Sequence, residues 1–251
     1  MLSAVADISL LHMLLVAAMA LVASLVGGVA GYGTGVLMPL VLVPLVGAAP
    51  VVPIIAISAL FTNTSRAVAF RKGVDWRRGA IVLAAAVPTC VLGAYVYTRL
   101  DSAGAALVIG TMLIASVPLR RLLKRRQLKL GDRGLALGAV GYGMLVGGTA
   151  GSGILLLSLL MSAGLEGAGV IATDAAISIA LGVLKVAVFG IAGAVDATVV
   201  TLALLIGLVA FPGAFLAKAA VDRMPIHLHT AVLDAVVVIG GLFLVLRAFA
   251  H

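Results

Sequence analysis

Apolar residues run through this chain in stretches long enough to cross a bilayer, separated by short polar turns and by clusters of glycine and proline. About 20 such residues in a helix match the roughly 30 Å of hydrocarbon in a membrane. Leu10 to Val46 is too long for one straight span. It carries Gly27, Gly28, Gly31, Gly33 and Gly35, then Pro39 and Pro44. Glycine costs roughly 1 kcal/mol per helix position relative to alanine, so the pattern predicts a helix, a broken tip over Gly27–Gly35 and a half-helix to Val46. Further spans are predicted over Val51–Phe70, Gly79–Thr98 and Ser102–Leu119, with Arg71–Arg78 as a polar loop and Arg99-Leu100-Asp101 as a turn. After the basic stretch Arg120–Arg133 comes Leu135–Met161, broken at Gly147–Gly153. Spans over Val170–Phe189, Thr198–Val221 and Leu228–Phe249 complete the pattern, with Gly190–Ala197 as a loop.

The second half repeats the first. Leu25-Val26-Gly27-Gly28-Val29-Ala30-Gly31-Tyr32-Gly33 returns as Leu145-Val146-Gly147-Gly148-Thr149-Ala150-Gly151-Ser152-Gly153. Without a gap, Ala56-Ile57-Ser58 falls on Ala176-Ile177-Ser178 and Ala67-Val68 on Ala187-Val188. The expected organisation is a first repeat over 1–119, a basic linker over 120–133 and a second repeat over 134–251, each repeat holding about four helical segments. Duplicated halves with a broken segment at the same place in each point to a secondary transporter, in which unwound segments meet near the bilayer midplane. Broken segments that still cross would give four crossings per half and parallel repeats. Re-entrant hairpins would leave three, and an odd number inverts the second half. Inverted repeats are the reading adopted, because the two glycine tips would then face each other.

Composition supports the membrane class: 63% of residues are hydrophobic and 10% charged, with a mean hydropathy of +1.29. The net charge of +8 does not indicate a nucleic-acid partner. The basic residues gather in two short loops, Arg71–Arg78 and Arg120–Arg133, which the positive-inside rule places in the cytoplasm. Asp7 stands near the start with no Lys or Arg, unlike a signal peptide, so the N-terminus is expected to be retained. The single cysteine, Cys90, excludes an intramolecular disulfide and a cysteine-rich metal site. His227-x-His229 makes a weak metal pair without a carboxylate cluster, and no nucleophile–base pattern is present.

The chemistry-bearing groups lie in and beside the glycine phrases. Gly28-x-x-Gly31-x-Gly33 has no preceding strand and no following Gly-Lys-Ser/Thr, so it is not a nucleotide loop. The glycines either let helices pack closely or unwind to present backbone amides and half-helix N-termini to an anion. In the second case Gly28, Gly31, Gly33, Gly148 and Gly151 would form the cradle, and Tyr32, Thr34, Thr149 and Ser152 would add hydroxyls. Arg66 and Lys185 are cations inside apolar spans at nearly equivalent places in the repeats. A cation near the middle of a membrane helix costs about 2.5–3.5 kcal/mol on insertion scales, so each needs a partner, a wet cavity or a route for snorkelling to the interface. Arg66 shares a helix face with Thr62 and Ser58 and follows Asn63 by a turn, while Lys185 shares a face with Ser178. Asp174 lies about 16 Å before Lys185 by helical rise. It reads as a proton-coupling carboxylate or as a helix cap after Thr173. Asp234 and Lys218 read as a structural ion pair.

These residues carry a resemblance. The tandem Gly-Gly-x-Ala-Gly phrases, the Asn/Thr-bearing span leading into Arg71-Lys72-Gly73-Val74-Asp75-Trp76-Arg77, and Pro88 to Ala94 resemble the TauE/SafE family of sulfite-exporter-like transporters. The resemblance implies movement of a small anion such as sulfite, an organosulfonate or an organic acid, often outward. Val195-Asp196-Ala197 replaces Val-Asp-Trp in the second half, and Gly153-Ile154-Leu155 replaces Gly33-Thr34-Gly35, so the site should be asymmetric. The expectation is a multi-pass inner-membrane protein of all-α fold, not an enzyme, without cofactor or metal. It would work as a secondary transporter exporting a small anion, the competing class being an anion channel on the same scaffold. Its partners would be that anion and the lipid bilayer, with homodimerisation left open.

Overall fold

The computed structural model describes residues 9–30, 33–126, 129–213, 215, 238 and 241–246, and among these the chain is helical with no strand. Nine α-helices are complete enough among the described residues to be delimited. In the first half they are α1 (Leu10–Ala30), α2 (Thr34–Val46), α3 (Val51–Phe70), α4 (Trp76–Tyr97) and α5 (Ser102–Arg126). In the second half they are α6 (Asp132–Gly148), α7 (Gly153–Ser162), α8 (Gly167–Ile191) and α9 (Ala197–Ala210). With the two arms α1 and α2 counted as one broken segment, the first half holds the four helical segments expected. Lys218, His227, His229 and Asp234 lie outside the described residues.

The chain breaks later than the glycine spacing predicts. Gly27 and Gly28 sit within α1, and Gly147 and Gly148 within α6. In apolar surroundings an open backbone has no water to bond, so helix outlasts glycine's intrinsic cost. Gly143, Gly147 and Gly148 serve packing instead: α6 lies so close to α4 that a Cβ on Gly147 would fall 2.2 Å from the Cys90 carbonyl oxygen, and one on Gly143 2.4 Å from that of Ala86. The helix α5 likewise runs past Leu119 into the basic stretch.

Repeat-equivalent contacts recur. A Cβ on Gly93 would meet the Met144 carbonyl oxygen at 2.3 Å, and one on Gly213 would meet Ser24 Oγ at 2.0 Å. Each half thus packs its α4-type helix on the first helix of the other. The equivalent helices α3 and α8 pack against one another and run antiparallel. Leu60 meets Gly182, Arg66 meets Asp174, and Gly73 meets Ala168 and Gly169. At one end of this pair the Asp75 N–H donates to Thr173 Oγ1 at 2.9 Å.

The helices α6 and α7 form a hairpin. The Leu130 N–H, just before α6, donates to the Ser162 carbonyl at the end of α7 at 2.7 Å, and Gly138 packs on Leu159. Ten residues of α7 rise only about 15 Å, half the thickness of the hydrocarbon, so this arm is too short to cross a bilayer by itself.

Matched caps start equivalent helices. Asp75 Oδ1 accepts from the Arg78 N–H at 2.9 Å, and Asp196 Oδ1 accepts from the Val199 N–H at 2.8 Å. The Asp of Val-Asp-Trp and of Val-Asp-Ala therefore does one job in both halves. The backbone bond from Arg78, followed by its guanidinium, holds the Asp75 carboxyl below its ordinary value. Around it Arg78 pairs with Asp75 and Arg77 with Asp132, which makes this the ionic end of the molecule.

Val51–Gly73, α4, Ser102–Leu119 and α8 are long and apolar enough to cross a membrane. The outward faces fit such a solvent: Leu10 and Leu137 on α1 and α6, Leu208 on α9 and Ile191 at the end of α8 are all exposed. Within, Met38, Leu42, Ile54, Ile109, Leu113 and Leu202 form one core on the α2–α3–α5–α9 side. Leu135, Leu156, Leu160, Ile177 and Leu181 form another between α6, α7 and α8.

Candidate functional site

The two chain breaks meet. The first includes Gly33, just before α2, and the second runs over Thr149–Ser152 between α6 and α7. A Cβ on Gly35 would fall 3.0 Å from the Gly151 amide nitrogen, and Gly151 adopts φ +84°, where a side chain is strained. Neither α2 nor α7 has a side-chain cap at its N-terminus. Both therefore bring unsatisfied amides and the positive end of a helix dipole to one place.

Beside the meeting point is a cavity of about 140 Å³. A single water needs only roughly 10–15 Å³ by the same kind of measure, so a small oxyanion fits. The breaks supply Gly33, Thr34, Gly35, Thr149, Gly151, Ser152 and Gly153. From α3 come Ala56, Ala59, Thr62, Asn63 and Arg66, and from α8 Asp174, Ser178, Gly182 and Lys185. The helix α6 adds Tyr142 and Val146.

Three charge-bearing side chains line the cavity, two basic and one acidic. Arg66 Nη2 donates to Asp174 Oδ2 at 2.7 Å, joining α3 to α8, and Nη1 donates to Asn63 Oδ1 at 3.1 Å. Both partners are buried, and among the described residues Arg66 Nε and Asp174 Oδ1 have no hydrogen-bond partner. Lys185 is 6% exposed and forms no ion pair among the described residues. With all three groups ionised, the cavity holds one uncompensated positive charge, on Lys185.

The structure thus gathers Gly33, Thr34, Asn63, Arg66, Thr149, Gly151, Ser152, Ser178, Lys185 and Asp174, which the sequence singled out from segments far apart. Three expectations need correction. Ser58 turns its hydroxyl back to the Ile55 carbonyl at 3.2 Å and does not line the cavity, although its repeat mate Ser178 does. Gly148 packs against Gly93, and Gly28 lies within α1, so neither belongs to an unwound cradle. Asp174 is not a helix cap: α8 begins at Gly167, and the carboxylate is deep inside, bonded to Arg66. Gly31 and Tyr32 lie outside the described residues.

Sequence reasoning missed Tyr142, Gly35, Gly153 and the small wall residues Ala56, Ala59 and Gly182. Tyr142, Val146 and Thr149 follow helical spacing into the break, a signal that was there to read. The alanines carry none, since any membrane helix has many.

No curated protein and no solved structure gives a significant match to the chain. The family described as Sulfite exporter TauE/SafE matches over residues 16–244, and with its apolar spans and glycine-broken hairpin the chain belongs to that family of membrane transporters.

Proposed function

We propose that this transporter is a secondary carrier that moves a small oxyanion across the inner membrane, outward, through the cavity between the two glycine breaks. The observation that carries the reading is Lys185: a buried cation, without an ion-pair partner among the described residues, facing a cavity that also receives two helix N-termini without side-chain caps. Sulfite, an organosulfonate or a small organic acid meets that chemistry, since each offers an anionic oxygen cluster to amides, hydroxyls and one ammonium. The antiparallel run of α3 and α8, together with the returning α6–α7 hairpin, supports inverted repeats with three crossings per half. Alternating access would then rock the two halves about the α3–α8 contact. The membrane potential favours export, because moving one negative charge outward gains about 2.3 kcal/mol per 100 mV.

The test is flux into proteoliposomes for sulfite, sulfoacetate, taurine, sulfate and small carboxylates. Saturable uptake of at least one anion, stimulated by the same anion trapped inside, is the expected result. Flux that neither saturates nor responds to trapped anion would make the protein a channel, and no anion flux at all would remove the reading.

A further inference from the structure

No charge of the cavity has a charge at the strictly equivalent position of the other half, although Arg66 stands one residue past the mate of Lys185. The repeat mate of Lys185 is Ser65, that of Arg66 is Val186, and that of Asp174 is Ile54. Where one end of the α3–α8 contact carries the ion pair, the equivalent end carries Ile54 and Val186. The cavity's electrostatics therefore lie outside the duplicated plan and depend on three side chains.

Their connectivity assigns them different tasks. Among the described residues Lys185 forms no ion pair, which leaves it to attract an anion directly. Arg66 lines the same cavity, but its charge is cancelled by Asp174 at 2.7 Å. Both residues line the cavity, and among the described residues Arg66 Nε and Asp174 Oδ1 are buried without a partner, an arrangement that native interiors avoid unless something else supplies the bond. Taking Asp174 out of the balance would leave two cations in one small cavity.

Resting on the transport reading above, we infer that Asp174 is the specificity-determining residue for substrate valence. Ionised and paired with Arg66, it leaves the site one net positive charge and suits it to a monoanion. A dianion would enter with one negative charge unmatched and would face the Asp174 carboxylate besides. For a sulfur oxyanion this matters directly, because sulfite and hydrogensulfite differ by one proton and one charge. The site would accept hydrogensulfite or a sulfonate and reject sulfite dianion and sulfate.

Two anions of fixed and different charge serve as probes: methanesulfonate, a monoanion, and sulfate, a dianion of similar tetrahedral shape. Their affinities are measured by calorimetry on the purified full chain in wild type, Asp174→Asn, Arg66→Gln and the double variant. Wild type should favour methanesulfonate. Asp174→Asn should raise sulfate affinity relative to methanesulfonate by about tenfold, since a second uncompensated cation then lines the same cavity. Arg66→Gln leaves Asp174 to oppose Lys185 and should weaken both anions. Adding Asp174→Asn to it removes that opposition, so methanesulfonate binding should recover relative to Arg66→Gln and the valence ratio should return to the wild-type side. A merely structural ion pair would give no such reversal.

An unchanged ratio in folded Asp174→Asn protein overturns the inference, as does an equal rise in the double variant. Where Asp174→Asn does not fold, the comparison of Arg66→Gln with the double variant decides, and absence of recovery overturns it. Wild type that binds anions without valence preference sinks this inference alone, whereas wild type that binds neither probe nor any anion of the flux panel sinks the transport reading with it.

Discussion

A lysine inside a membrane protein with no carboxylate beside it is held there at a cost, and Lys185 is such a residue. Its insertion costs about 2.5–3.5 kcal/mol when it sits near the centre of a span, so the fold has no use for it on its own account. Lys185→Ala should therefore leave a folded, membrane-inserted protein with anion binding abolished, read by calorimetry and by elution from size exclusion in detergent. Full wild-type affinity in that variant would remove Lys185 from the site. Two serines that the repeat makes equivalent provide an internal comparison. Ser178→Ala should weaken the anion several-fold, in line with a lost hydrogen bond of about 1 kcal/mol, while Ser58→Ala should not. Ser58 satisfies its hydroxyl on the Ile55 carbonyl, one turn back, and is turned from the cavity. This distinction was beyond the sequence. Both serines follow the same Ala-Ile pair, and only the packing of α3 against α8 decides which of them faces the cavity.

The helices themselves separate glycines that hold the fold from glycines that shape the site. Gly147→Ala puts a methyl 2.2 Å from the Cys90 carbonyl oxygen, which neither helix can yield without sliding α6 off α4. It should cost about 1–3 kcal/mol of stability or more, seen as a lowered melting temperature in detergent with anion selectivity unchanged in whatever protein remains folded. Gly153, the first residue of α7, has nothing within 4 Å of a Cβ and lines the cavity. Gly153→Ala should keep the melting temperature and lower anion affinity by narrowing the site. The reverse pattern would mean that the packing and cradle roles have been exchanged. The glycine phrases were legible as the place where the two halves come together, since duplication and helix-breaking residues coincide there. Which glycine does what was not legible. Helix breaking and close packing call for the same residue, and only the approach of α4 to α6 separates Gly147 from Gly151.

For the molecule as a whole, the direction of its helices decides how it lies in the membrane. The equivalent helices α3 and α8 run antiparallel, so a two-fold relation between the halves has its axis across these helices. When both helices cross the bilayer, that axis lies in the membrane plane, which is the geometry of inverted repeats. The hairpin of α6 and α7 returns to the ionic end where it began, so it contributes no net crossing. With Arg71–Arg78 held inside by its positive charge, α3 must run inward toward that end and α8 outward from it. Three crossings per half would then carry the N-terminus and His251 to the periplasmic side. Alkaline phosphatase fused after His251 should be active, because that enzyme matures only outside the cytoplasm, and green fluorescent protein at the same position should stay dark. A fluorescent, phosphatase-negative fusion would require four crossings per half and parallel repeats. The cavity and its three charges would stand unchanged, but the rocking motion about the α3–α8 contact would lose its basis.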